Sequence, residues 1–121
     1  MFVGIDIGSV TTKAVIIDHQ KGEILAFSLI PTSYDRSRSG EDVLQLTLKK
    51  TGRSRSGIRY TVTTGYGRRS TALSDKVLPE IVCHAKGTWS LYPRVRTIID
   101  IGGQDSKVIE VDKEGMVTRF E

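Results

Sequence analysis

Ile5-Asp6-Ile7-Gly8 returns as Ile99-Asp100-Ile101-Gly102, and at the same offset of 94 residues Lys13 returns as Lys107 and Asp18 as Asp112. Across these 14 aligned positions six residues are identical, Thr12 matches Ser106, and apolar Ala14, Val15 and Ile17 match Val108, Ile109 and Val111. Each copy is an apolar strand ending in Asp-x-Gly, a short loop rich in hydroxyls or glycine, and a second apolar strand opening on a lysine. That pattern predicts a β-hairpin. Glycine admits a ligand where a Cβ would block it, and consecutive N–H groups in a tight turn form a concavity suited to phosphate oxygens. Two such tips are expected to grip one polyphosphate from opposite sides. The alternative for either copy alone is an ordinary hairpin whose Asp and Gly serve only the turn.

A chain of 121 residues, 38% of them hydrophobic, has the size and composition of one globular domain. Met1-Phe2-Val3-Gly4-Ile5-Asp6 opens without a basic leader, and no apolar run approaches the roughly 18 residues of a membrane span. A cytoplasmic protein with no membrane partner is therefore expected. The net charge of +4 permits anion binding but falls short of a nucleic-acid signature, so no nucleic-acid partner is expected. Arg36-Ser37-Arg38-Ser39-Gly40 and Arg53-Ser54-Arg55-Ser56-Gly57 are near-repeats predicted to lie in loops at the two ends of one helix. They are either solvated loops or a basic patch that steers an acidic partner or nucleotide. Cys83 is the single cysteine, so it builds no internal disulfide. With His84 beside it a metal site comes to mind, but neighbouring helix residues point in different directions and two ligands leave a tetrahedral site half empty. A buried helix cysteine is the simpler reading.

Phe2–Ile7, Lys13–Asp18 and Glu23–Leu29 read as a three-stranded antiparallel meander, and the stretch from Pro31 to Gly40 reads as a loop. Glu41–Lys50, with acids at its start, lysines at its end and Gly52 beyond, reads as a helix with charges matched to its dipole. Ile58–Thr64 is a fourth strand, leaving sharply through Gly65-Tyr66-Gly67-Arg68. Ser74-Asp75 is expected to cap a helical stretch whose main body is Pro79–Tyr92, stopped by Pro93. Thr97–Ile101 is a fifth strand, expected parallel to the first along with the fourth; Lys107–Val111 pairs back on it, and a last strand starts at Val117.

Four blocks, taken in order, carry a family resemblance: Gly4-Ile5-Asp6-Ile7-Gly8-Ser9-Val10-Thr11-Thr12-Lys13, Thr64-Gly65-Tyr66-Gly67-Arg68, Glu80-Ile81-Val82-Cys83-His84-Ala85-Lys86-Gly87 and Ile98-Ile99-Asp100-Ile101-Gly102-Gly103-Gln104-Asp105-Ser106-Lys107. Together they resemble the ATP-dependent activators of 2-hydroxyacyl-CoA dehydratases and the related ATPase subunits of benzoyl-CoA reductase. These belong to the superfamily of actin, sugar kinases and heat-shock chaperone ATPases. The resemblance implies an α/β fold: a ribonuclease-H-like, actin-type ATPase domain with a mixed five-stranded sheet and flanking helices over residues 1–96. The first hairpins of a truncated second domain would follow over residues 97–121.

By the same resemblance Asp6–Lys13 is a first phosphate loop and Asp100–Lys107 a second, with ATP and Mg²⁺ as cofactors. Asp6 and Asp100 suit hydrated Mg²⁺, which keeps several waters when it bridges phosphates. Gly8, Gly102 and Gly103 would admit phosphate oxygens, Ser9, Thr11, Thr12 and Ser106 would donate hydroxyls, and Lys13 and Lys107 would offset charge. Gln104 and Asp105 are the candidates for orienting the attacking water; Asp105 is equally readable as a turn former, and Glu80 is a weaker candidate. The family's ATP hydrolysis drives an electron from a [4Fe–4S] cluster between two identical subunits into a partner dehydratase or reductase, with ferredoxin or flavodoxin as donor. The chain stops at Phe120-Glu121, before the family's cluster cysteines and adenosine-binding part, so a homodimer and its cluster are expected only in a longer protein. Alternatives are a small-molecule kinase of the same superfamily and a non-catalytic module that binds a partner.

Overall fold

A computed structural model describes residues 1–121, which divide into two compact units, Met1–Leu78 and Pro79–Glu121. The break in packing lies upstream of the 96/97 boundary expected between the ATPase domains.

The first unit is built on β1 (Phe2–Ile7), β2 (Thr11–Ile17) and β3 (Ile24–Pro31), an antiparallel meander. Strict alternation puts Val3, Ile5 and Ile7 of β1 and Thr12, Ala14 and Ile16 of β2 on one buried face. Helix α1 (Arg36–Thr51) covers that face with Val43, Leu44 and Leu48, positions that fall on one side of a helix of about 3.6 residues per turn. Gly40 lets the helix come close: a Cβ there would lie 3.1 Å from Ile7 Cδ1. β4 (Tyr60–Thr64) then pairs in parallel with β1, and a two-residue β5 (Lys76–Val77) pairs in parallel with β4. The mixed sheet therefore has five strands in the order β3-β2-β1-β4-β5.

Four local expectations are corrected. α1 begins at Arg36 rather than Glu41, because the Asp35 side chain accepts from Arg38 N and Ser33 N donates to Ser39 Oγ, stabilising a polar first turn. Arg36–Gly40 is consequently helical, the acids Glu41 and Asp42 lie beyond the first turn of α1, and the second Arg-Ser stretch lies outside α1, with a short 3₁₀ helix at Arg55–Gly57. That turn is tied back to the helix by an Arg55–Glu41 ion pair. Asp75 caps no helix; its Oδ2 accepts from Thr61 N at 2.7 Å and holds β5 to the sheet edge. The fifth strand of the mixed sheet is β5, and Thr97–Ile101 belongs to a separate sheet instead of joining the sheet of β1.

The second unit consists of α2 (Glu80–Leu91) and a second meander: β6 (Thr97–Ile101), β7 (Ser106–Val111) and β8 (Val117–Phe120). Ala85 of α2 is fully buried with Ile109 and Val111, and Ile81, Val95, Ile98 and Val117 complete this core. Cys83 is half-buried on the helix. The Trp89 indole N–H donates to Lys113 O at 3.0 Å, and only glycine fits at 115, where φ is +78° and a Cβ would meet the indole at 2.6 Å. No helix is long and apolar enough to cross a membrane.

Candidate functional site

The two copies of the repeat fold alike. In β1–β2, Asp6 stands opposite Lys13 and Ile7 opposite Thr12; in β6–β7, Asp100 stands opposite Lys107 and Ile101 opposite Ser106. Each loop is closed by the same backbone bond: Gly8 N donates to Thr11 O at 3.0 Å, and Gly102 N donates to Asp105 O at 2.8 Å. The likeness runs into the following turn. Asp18 Oδ1 accepts from Gln20 N and Lys21 N, and Asp112 Oδ1 accepts from Glu114 N and Met116 N, which holds both carboxyls below the usual aspartate range. Two tips of one backbone shape are what a duplicated anion-binding loop requires.

Their side chains differ. In the first copy Lys13 Nζ reaches across the hairpin to Asp6 Oδ2 at 3.2 Å. In the second, Lys107 Nζ bonds Asp105 Oδ1 at 3.0 Å and lies 3.8 Å from Glu80 Oε2, while Asp100 Oδ2 is taken by His84 Nδ1 at 2.8 Å. The bond to Asp105, with the charges of Asp105, Glu80 and Asp100, raises the Lys107 pKa.

Ser9, Thr11 and Lys13 are half-exposed at the first tip, and Gly102, Gly103, Gln104, Asp105 and Ser106 are exposed at the second. Thr12 stands apart. It is fully buried, and its Oγ1 lies 2.8 Å from Thr32 Oγ1, which itself donates to Gly8 O at 2.8 Å. Thr12 thus braces the first loop from beneath. Asp105 is used twice locally, its carbonyl closing the turn and its carboxylate holding Lys107, whereas the Gln104 side chain carries no such bond.

The turn after β4 lies outside both copies of the repeat but reaches the first of them. Parallel pairing sets Thr64 beside Asp6, so the buried Gly65 lies against the carboxylate. Its φ is +91°, and a Cβ would lie 2.5 Å from Ile7 O and collide with Asp6 Oδ1. Gly67 N donates to Ile7 O at 2.8 Å, and a Cβ at Gly67 would meet Ile7 Cγ2 at 2.5 Å. His84, too, stands out in the sequence only as the neighbour of Cys83. The signal for Gly65 and Gly67 was the glycine pair itself; for His84 it was the four-residue step from Glu80, which puts both on one helix face.

The carboxylates, hydroxyls and lysines at both tips are hard donors and cations, fitted to phosphate and to a hydrated Mg²⁺ held by one or two carboxylates. No group of three or more His, Cys, Asp or Glu forms an all-protein metal cage, which such a Mg²⁺ does not need. A [4Fe–4S] cluster does not fit residues 1–121, which offer one thiolate where four are the rule.

A mixed sheet with Asp-x-Gly hairpins of this kind is the ribonuclease-H-like fold of the actin-type ATPases. More narrowly, the chain belongs to the BadF/BadG/BcrA/BcrD ATPase family, which it matches over residues 3–121. It is 42% identical over 118 residues to the activator of lactoyl-CoA dehydratase from Anaerotignum propionicum, covering 98% of this chain and 45% of that protein. The activator of 2-hydroxyisocaproyl-CoA dehydratase from Clostridium difficile, solved with bound ADPNP, superposes with a TM-score of 0.90 at 40% identity, covering 99% of this chain and 44% of that one. Component A of (R)-2-hydroxyglutaryl-CoA dehydratase from Acidaminococcus fermentans gives a TM-score of 0.89 at 38% identity, covering 98% of this chain and 45% of that one. The chain thus spans less than half the length of these relatives.

Proposed function

We propose that these residues are the N-terminal part of an ATP-hydrolysing activator that drives electrons into a 2-hydroxyacyl-CoA dehydratase or a benzoyl-CoA reductase-type partner. The observation that carries the reading is the matched pair of loops, each with a carboxylate opposite a lysine and the same closing bond, in a chain of this ATPase family. Residues 1–96 would supply the first ATPase domain and 97–121 the opening of the second.

In this reading Mg²⁺, when bound with ATP, offsets phosphate charge and polarises the γ-phosphate. Asp6 and Asp100 accept hydrogen bonds from its waters, and the Gly8, Gly102 and Gly103 backbone lets phosphate oxygens approach. Ser9, Thr11 and Ser106 donate hydroxyls, while Lys13 and Lys107 balance charge. Gln104, exposed at the second tip, orients the attacking water, and Asp105 contributes by holding Lys107. Such catalysis is positioning and electrostatics, which fixed loops on strand ends provide. The longer protein would work as a cytoplasmic homodimer around a [4Fe–4S] cluster fed by ferredoxin or flavodoxin, with cluster ligands outside residues 1–121.

The test is phosphate release by the complete protein with Mg²⁺–ATP, measured alone, with a partner dehydratase, and with hydroxyl acceptors such as sugars. Release of free phosphate without an acceptor supports the activator reading. Transfer only when a hydroxyl acceptor is present makes the protein a kinase, and no turnover makes it a binding module.

A further inference from the structure

Glu80 and His84 are one helical turn apart on α2, and both meet the second loop. His84 Nδ1 is 2.8 Å from Asp100 Oδ2, and the two side chains are 33% and 19% exposed. A carboxylate only accepts, so Nδ1 carries the hydrogen and donates it. The equivalent aspartate of the first copy, Asp6, is held by the lysine of its own hairpin. Lys107, the counterpart of that lysine, is drawn off by Asp105 and Glu80. Asp100 has therefore exchanged an in-hairpin lysine for an imidazole delivered by a helix. An imidazole has two rotatable side-chain bonds where lysine has four, so it holds its partner with less loss of order on binding.

We infer that His84 is a positioning residue for Asp100: its Nδ1–H fixes Oδ2, so that Oδ1 accepts from a water of nucleotide-bound Mg²⁺. This rests on the reading of Asp100–Lys107 as a phosphate loop. A bond that merely tied α2 to β6 would hold the unit together without affecting Mg²⁺.

The full chain, His84→Ala and His84→Asn are titrated with ADPNP by calorimetry over a range of Mg²⁺ concentrations and in EDTA. The amide of asparagine can replace the Nδ1 donor. His84→Ala is expected to need about tenfold more Mg²⁺ for half-maximal tightening of ADPNP, in the range found when partners of metal-bound groups are removed. His84→Asn is expected to restore most of the loss, with affinity in EDTA alike in all three. Equal Mg²⁺ dependence in all three overturns the inference while leaving the phosphate-loop reading intact; a wild type with no Mg²⁺-dependent binding overturns both. Imidazole ¹⁵N spectra of the wild type give a check free of variant folding. The His84 ring signals should move on adding Mg²⁺–ADPNP and not ADPNP in EDTA, and unmoved signals in a chain that binds Mg²⁺–ADPNP overturn the inference.

Discussion

Gly65 lies so close to Asp6 that no side chain fits between the turn after β4 and the carboxylate at the end of β1. The contact exists because β4 pairs in parallel with β1, with Thr64 opposite Asp6. Gly65→Ala combines a φ of +91° with a steric collision. It should cost about 2 kcal/mol or more of stability in urea unfolding and displace Asp6. A variant as stable as the wild type would show that the turn yields freely and does not fix Asp6.

Thr12 and Ser9 sit in one loop in opposite environments, and their variants should separate. Thr12→Val removes a buried hydroxyl from the Thr12–Thr32–Gly8 chain and should cost about 1 kcal/mol in denaturant unfolding. Ser9→Ala alters a half-exposed tip and should stay within about 0.5 kcal/mol of wild-type stability while weakening Mg²⁺–ADPNP binding. The reverse pattern would place the phosphate-binding hydroxyl at Thr12.

Acid should destabilise the fold through the two repeated turns. Backbone N–H bonds, from Lys21 and Gln20 to Asp18 and from Met116 and Glu114 to Asp112, make both carboxyls more acidic in the folded chain than in the unfolded one. Their stabilising effect is present above the unfolded pKa of about 4 and is lost as pH falls through the lower folded values. The thermal midpoint should drop below about pH 4, and less steeply in the Asp18→Asn, Asp112→Asn double variant. Identical acid limbs in the two proteins would contradict this origin.

The loops were legible in the sequence because duplication left six identities at a constant offset, which no local propensity produces by accident. The strands of both meanders followed from apolar runs bounded by short polar loops and turns. β5 escaped because Lys76–Val77 is too short to show a period, and the first turn of α1 escaped because Arg36-Ser37-Arg38-Ser39 contains no apolar residue to mark one. Gly65 and His84 lay beyond sequence reading for a different reason. Their partners, Asp6 and Asp100, are 59 and 16 residues away, and only strand pairing and helix packing bring them together.

The proposed Mg²⁺-holding roles of Asp6 and Asp100 are tested most directly by calorimetric titration of Mg²⁺–ADPNP into wild type, Asp6→Asn and Asp100→Asn. Each variant is expected to bind about tenfold or more weakly with Mg²⁺ present, and no more weakly than the wild type in EDTA. Wild-type affinity in both variants, with Mg²⁺, would contradict the account.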